Sequence, residues 1–326
     1  MKLRHWIGSL ALAAAIGLAP PVLAQTVKVA LDSPPDLEQS GTYVWAHAFA
    51  TYLNENGIDA EEFQRGALGE EAERLDQVSQ GLLEVSMSDV KSAGTLDTLI
   101  YGVYLPYFFD DLGEVDKALY AGGMLEKINA GTTPKGVRVL GVAHLGLPAG
   151  IFNTKKPVAG VADMAGLRMR ALDEIQISLF EAWGSTGTIV SWAEVPNALQ
   201  TGVADGYINP PFVPLLFGHT GFIKHFTDAG TSPSVRLAIA SEDWYQGLSE
   251  EERQTVDAAV KAADKANRAW LEKRSGILSA LEEAGIAVTR LTPEARAEFR
   301  EKSRAVYTAG PVSADQLATW SASLGR

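Results

Sequence analysis

The hydrophobic positions along this chain fall into short blocks whose period switches between two and about 3.6 residues. Val27-Lys-Val-Ala-Leu31 reads as a strand and Ser33-Pro-Pro-Asp36 as a turn. Tyr43, Trp45, Phe49 and Leu53 mark an amphipathic helix over residues 40–56. Ala60-Glu-Glu-Phe63 is a weaker strand, a helix over 70–80 stops at Gly81, and Leu83-Glu-Val-Ser-Met-Ser88 reads as a buried strand. A further helix is expected over 114–130 and a central strand over Gly136-Val-Arg-Val-Leu-Gly-Val-Ala143. From Gly150-Ile-Phe-Asn153 a second set of elements runs to about residue 226. Strands alternating with helices predict βαβ units in mainly parallel sheets, and so an α/β fold.

The pattern after residue 248 is unusually long. Ser249-Glu-Glu-Glu252 is a capping box. Val256, Val260, Ala263, Asn267, Trp270, Leu271, Leu278 and Leu281 then recur at helical spacing. Read as one helix ending at Glu283, this segment covers 35 residues, about 50 Å at 1.5 Å per residue. Periodicity alone leaves open a break near Ser275-Gly276. A terminal helix is expected from Thr292-Pro293, with threonine as N-cap and proline in the first turn.

Residues 1–24 read as a cleaved secretory signal. Lys2, Arg4 and His5 precede the uncharged apolar run Ile7 to Leu18, and Val22-Leu23-Ala24 offers small residues for cleavage. The run is too short for a membrane span, which needs about 20 apolar residues. Loss of Lys2 and Arg4 from the 28 basic residues leaves 26 against 40 acidic ones, a formal charge of −14. So acidic a surface repels nucleic acid and anionic headgroups. An exported chain without cysteine has no disulfides, and its core alone must hold the fold. At this length two lobes are expected.

Signatures of catalysis are missing. The histidines (His5, His47, His144, His219 and His225) form no pair at metal-ligand spacing on one helix, and no cysteine is present to complete a zinc site. No Gly-x-Ser-x-Gly elbow, P-loop or Gly-x-Gly-x-x-Gly occurs. Neither a metal nor a cofactor is expected. His144, which follows a strand, faces the cleft as a ligand contact or serves as a hydrogen-bonded structural residue.

The chemistry collects instead at strand ends. Gly166-Leu-Arg-Met-Arg170 reads as a strand whose alternation puts Leu167 and Met169 on one face and Arg168 and Arg170 on the other. Ligands of open α/β sheets sit beyond the carboxyl ends of the strands. Arg170 there presents a fork of donors suited to a carboxylate, although a solvated or interface arginine fits the same pattern. Another strand ends at Asn209-Pro210.

This stretch resembles the signature region of the solute receptors of tripartite ATP-independent periplasmic (TRAP) transporters, the DctP family. The matching runs are Gly166-Leu-Arg-Met-Arg170, Trp192-Ala-Glu-Val195, Ala198-Leu-Gln-Thr-Gly-Val-Ala-Asp-Gly206 and Asn209-Pro210. Gly66-Ala-Leu-Gly69-Glu-Glu71 and Leu105-Pro-Tyr-Phe-Phe-Asp110 match more weakly. The resemblance implies a two-lobed periplasmic-binding-protein-like α/β fold with a long helix spanning both lobes, which favours one helix over 249–283. Lobe I is expected from residues 25–147 with 236–275, and lobe II from 148–235 with 276–326. By resemblance Arg170 makes a bidentate salt bridge to a ligand carboxylate, Asn209 assists, and Trp192 walls the pocket unless it simply packs in the core. Phe212 is a second candidate wall. Glu70 and Glu71 read as a solvated helix start, with a reach into the cleft as the alternative, and Glu194 as a first-turn dipole partner.

One departure bears on the ligand. Family members often carry a second arginine just before the Asn-x-Lys-x-Pro run, here Asn153-Thr-Lys-Lys-Pro157, but the position falls near Ala149. Its absence puts a C4-dicarboxylate in doubt. A monocarboxylate held elsewhere by aromatics and neutral donors is expected. The resemblance implies a monomeric, non-enzymatic receptor for a small organic acid, working with TRAP permease subunits. An exported enzyme on a similar fold, or a ligand-binding partner of a membrane sensor kinase, are the alternatives.

Overall fold

The computed structural model of the protein describes residues 26–274, 276–307 and 310–326. The expected signal segment lies outside them. Eleven strands are described: β1 (Val27–Ala30), β2 (Ala60–Phe63), β3 (Val85–Ser88), β4 (Val137–His144), β5 (Gly150–Asn153), β6 (Arg168–Ala171), β7 (Thr186–Ile189), β8 (Gly206–Asn209), β9 (His225–Asp228), β10 (Val235–Ser241) and β11 (Ala287–Arg290). They form two sheets, ordered β2-β1-β3-β10-β4 and β11-β9-β5-β8-β6-β7. Each sheet is the centre of one lobe.

The sheets are mixed rather than mainly parallel. β10 runs antiparallel to both β3 and β4, and β5 antiparallel to both β8 and β9. The cause is the chain path. β5 and β10 are the strands that enter a lobe from its partner, so they start at the cleft where their neighbours end. Two crossing segments connect the lobes side by side, through Leu145 N–H to Ser234 O (2.8 Å), Ala149 N–H to Ser232 O (2.9 Å) and Thr231 N–H to Ala149 O (2.7 Å).

The first helix, Gly41–Glu55, shows how local pattern becomes packing. Ser40 caps it by accepting from Tyr43 N–H at 3.1 Å. Its buried residues Thr42, Trp45, Ala46, Phe49, Ala50 and Leu53 follow the helical period. They pack with Val256, Ala259 and Ala263 of the helix Glu250–Glu272 over one face of the first sheet. A larger core runs from the other face of that sheet into lobe II, ending around Met169, Phe180 and Trp183. Trp320 of the last helix, Ala314–Ser323, donates to Leu99 O at 2.9 Å and so pins the C-terminus to the segment Thr98–Tyr104.

Two expected helices are broken. The long one is Glu250–Glu272, 23 residues, followed by a separate Ile277–Glu283. Lys273 and Arg274 donate to Trp270 O (3.1 Å) and Leu271 O (3.0 Å), which tightens and ends the last turn, and Gly276 supports helix poorly. The helix expected over 114–130 is an α-turn with a π-helical continuation, Leu112–Asp116 and Lys117–Ala121, and then Met124–Thr132. Gly123 at φ +70° makes the turn between them, a left-handed conformation that glycine adopts without steric cost.

Candidate functional site

Between the lobes lies a cavity of about 780 Å³. β6 places its carboxyl end on the lobe II wall. It sits between β7 and β8, with Arg170 opposite Thr188 on one side and Tyr207 on the other. Met169 and Ala171 are buried in the core, so the alternation turns Arg170 into the cavity, which it lines. Arg168 does not share that role. It forms a two-pronged ion pair with Asp205, at 3.0 Å from Nε and 2.9 Å from its terminal nitrogen.

Arg170 is only 6% exposed. Its Nε donates to Val190 O at 2.9 Å, and its Cζ lies 5.7 Å from the centre of the Trp192 ring. Its terminal nitrogens make no hydrogen bond or ion pair with the described residues. Burial pulls the guanidinium down to about 10; Asp89 opposes the shift and Arg236 reinforces it. A buried cation without an acid partner is costly, and four free N–H donors beside a cavity are what a carboxylate satisfies.

The neighbours continue this wall. Asn209, at the end of β8, lines the cavity, and its Nδ2 is buried with no partner. Trp192 is held edge-on by Tyr207 (5.9 Å between ring centres) and Phe217 (5.1 Å), so its position beside Arg170 is fixed from behind. Phe212 also lines the cavity, 5% exposed. Four of the five sequence candidates therefore meet here.

His144 does not. It is 1% exposed at the end of β4, and its Nε2 pairs with Asp116 Oδ1 at 3.1 Å, behind the crossing segments rather than in the cavity. Arg268 holds the same carboxylate at 2.6 and 3.0 Å. Burial pushes Asp116 upward, but hydrogen bonds from His144 and Arg268 outweigh it and bring the group down to about 2. Burial also lowers His144, against the pull of Asp116.

The lobe I wall is where sequence reasoning fell short. Asp32, following β1, takes the Nε of Arg236 on β10 at 2.5 Å. Asp89, following β3, accepts from Ser92 N–H at 2.6 Å and lies 3.9 Å from Arg236. Glu71, read from sequence as solvated, lines the cavity; it sits 3.1 Å from Arg74 and accepts weakly from Asp89 N–H at 3.3 Å. Burial raises its proton affinity, with Asp89 and Asp32 adding to the effect and Arg236 and Arg74 opposing it. The far end of the cavity is thus charged, not neutral. Strand ends β1 and β3 were the available signal, since each terminates in an aspartate close to the cleft.

The bacterial extracellular solute-binding protein family 7, DctP, matches residues 35–310 of this chain. The chain belongs to that family. Among DctP-like proteins it is 28% identical to the ectoine/5-hydroxyectoine-binding periplasmic protein UehA of Ruegeria pomeroyi, over 81% of this chain and 79% of that protein. It is 27% identical to the C4-dicarboxylate-binding periplasmic protein DctP of Rhodobacter capsulatus, over 92% of each. The fold is that of the periplasmic ectoine-binding protein of the TeaABC TRAP transporter from Halomonas elongata, with a TM-score of 0.83 at 24% identity over 92% and 99% of the two chains. No helix of the described residues is long and apolar enough to cross a membrane.

Proposed function

We propose that this DctP-family protein is the periplasmic receptor of a TRAP transporter, which closes its two lobes on a small organic acid and delivers it to a membrane permease. The observation that carries this reading is Arg170: buried, without an acid partner, and open to a cavity between two lobes. A ligand carboxylate completes its hydrogen bonds away from water, where the attraction is strengthened. Asn209 supplies a second donor, and Trp192 and Phe212 supply apolar walls. The names of the relatives point the same way, since ectoines and C4-dicarboxylates all carry a carboxylate. We assign residues 26–147 with 236–274 to lobe I and 148–235 with 276–307 to lobe II, with the last helix, Ala314–Ser323, on lobe I, where Trp320 holds it to Leu99, and read the protein as a monomer that binds and releases without turnover.

The test has two steps. A thermal-shift screen against small carboxylic acids, ectoine and succinate included, finds the ligand by the stabilisation that binding to the folded state confers. Calorimetry on Arg170→Ala should then show a loss of about 2–5 kcal/mol of binding energy with the fold intact. Undiminished affinity in that variant removes Arg170 from the site and the reading with it.

A further inference from the structure

We infer that the solute bears a cationic group in addition to its carboxylate, and that Glu71, Asp89 and Asp32 on the lobe I wall receive that group. The inference rests on the receptor reading above, with the carboxylate at Arg170. Its basis is the charge left over on each wall.

On lobe I, three carboxylates cluster around two guanidiniums, Arg74 and Arg236. The donors of Arg74 are committed: Nε to Ser86 Oγ at 3.2 Å, one terminal nitrogen to Gly69 O at 3.0 Å, the other to Met87 O at 3.3 Å and to Glu71. Arg236 gives its Nε to Asp32 and has one terminal nitrogen 3.9 Å from Asp89. The carboxylates are less well served. Asp32 Oδ1 is buried with no hydrogen-bond partner, and Glu71 Oε2 has only the long contact from Asp89 N–H. One negative charge is unmatched. The rim does not reverse the sign, because Arg65 and Lys91 there stand against Glu70 and Asp76, leaving five acids against four bases on the wall as a whole. Arg65 lies 3.9 Å from Glu70, and Lys91 acts on Asp173 across the cleft.

On lobe II the unmatched charge is positive. It is Arg170, buried and without an acid partner. Both unmatched groups line one cavity. A dianion satisfies Arg170 and sets its second charge beside a wall that is already negative. A zwitterion satisfies both walls and enters without net charge, which reduces what burial costs. Arg236 is flanked by Asp32, which takes its Nε, and by Asp89 3.9 Å from a terminal nitrogen, so a second ligand carboxylate brought to it would meet two acids.

The experiment measures binding of size-matched probes to the purified exported protein by calorimetry: 4-aminobutyrate, 4-guanidinobutyrate and L-proline as zwitterions, succinate, D-erythronate and cyclopentanecarboxylate as anions. The expected result is binding of a zwitterion, weakened at least ~10-fold in Glu71→Gln and in Asp89→Asn, with any residual anion binding unchanged or tightened in both. The melting temperature of each unliganded variant verifies folding; Glu71→Gln should melt close to wild type, since burial already works against the charge it removes. Binding of anions alone, or zwitterion affinity indifferent to both substitutions, overturns the cation subsite and leaves the receptor reading standing. If no carboxylate of either kind binds, the receptor reading falls as well.

Discussion

Arg168 and Arg170 are two residues apart on one strand and do unrelated things. Arg168 is exposed and spent on Asp205, which also accepts from its backbone N–H at 3.0 Å. Arg170 is buried and free. Pattern alone placed both on one face, and only the position of Asp205 separates them. Arg168→Ala should therefore lower the melting temperature slightly and leave ligand affinity at the wild-type value. A loss of affinity comparable to that of Arg170→Ala would show that the two arginines act together. An acid partner thus decides which of two identical side chains is available for a ligand.

At the scale of elements, the helix Glu250–Glu272 is fixed to the start of the crossing segments by one amide. Asn267 is fully buried; its Oδ1 accepts from His144 N–H at 2.8 Å, and its Nδ2 donates to His144 O at 2.9 Å and Gly41 O at 2.8 Å. Gly41 is required at that approach, since a Cβ there would lie 2.1 Å from His144 O. Asn267→Ala strands three backbone groups away from water, and the expected destabilisation is at least about 3 kcal/mol in denaturant unfolding. A change under 1 kcal/mol would mean water replaces the amide. The helix itself was legible in the sequence, down to its capping box: Ser249 accepts from Glu252 N–H at 3.2 Å. Its end was not, because the family resemblance argued for continuity where Gly276 and the tightened last turn break it.

For the whole molecule, acid sensitivity follows from histidines withdrawn from water, His144 and His219 buried and His225 partly so. Burial lowers His144, His219 and His225 below their ordinary value of 6.5. The unfolded chain then takes up protons that the folded one refuses, so their contribution is present above about pH 6.5 and is lost as the pH falls through that value toward the folded ones. The melting temperature should drop between pH 7 and 5, and His144→Gln should flatten part of that slope. An identical slope in the variant would exclude His144 as a contributor. Closure has its own marker. Tyr104 of lobe I donates to Asp173 of lobe II, a buried carboxylate whose proton affinity burial raises. Tyr104→Phe removes the bridge, costs about 1–3 kcal/mol, and should raise the ligand Kd several-fold while enlarging the radius of gyration in solution scattering of the liganded protein. Unchanged scattering and affinity would mean that the bond does not hold the lobes together.

The sequence by itself determined what few-residue neighbourhoods encode: strands and helices at their places, the caps at Ser249 and Thr292, and an arginine at the carboxyl end of a strand. Period, turn chemistry and capping are local, so they can be read without a fold. Tertiary structure decided the sense of β5 and β10, the withdrawal of His144 from the cavity, and the charge of the wall that Arg170 faces. These depend on pairs such as Asp32 and Arg236, 204 residues apart in the chain. Whether a charged side chain is open to a ligand is a property of its partners and its burial, and those exist only once the chain has crossed between the lobes.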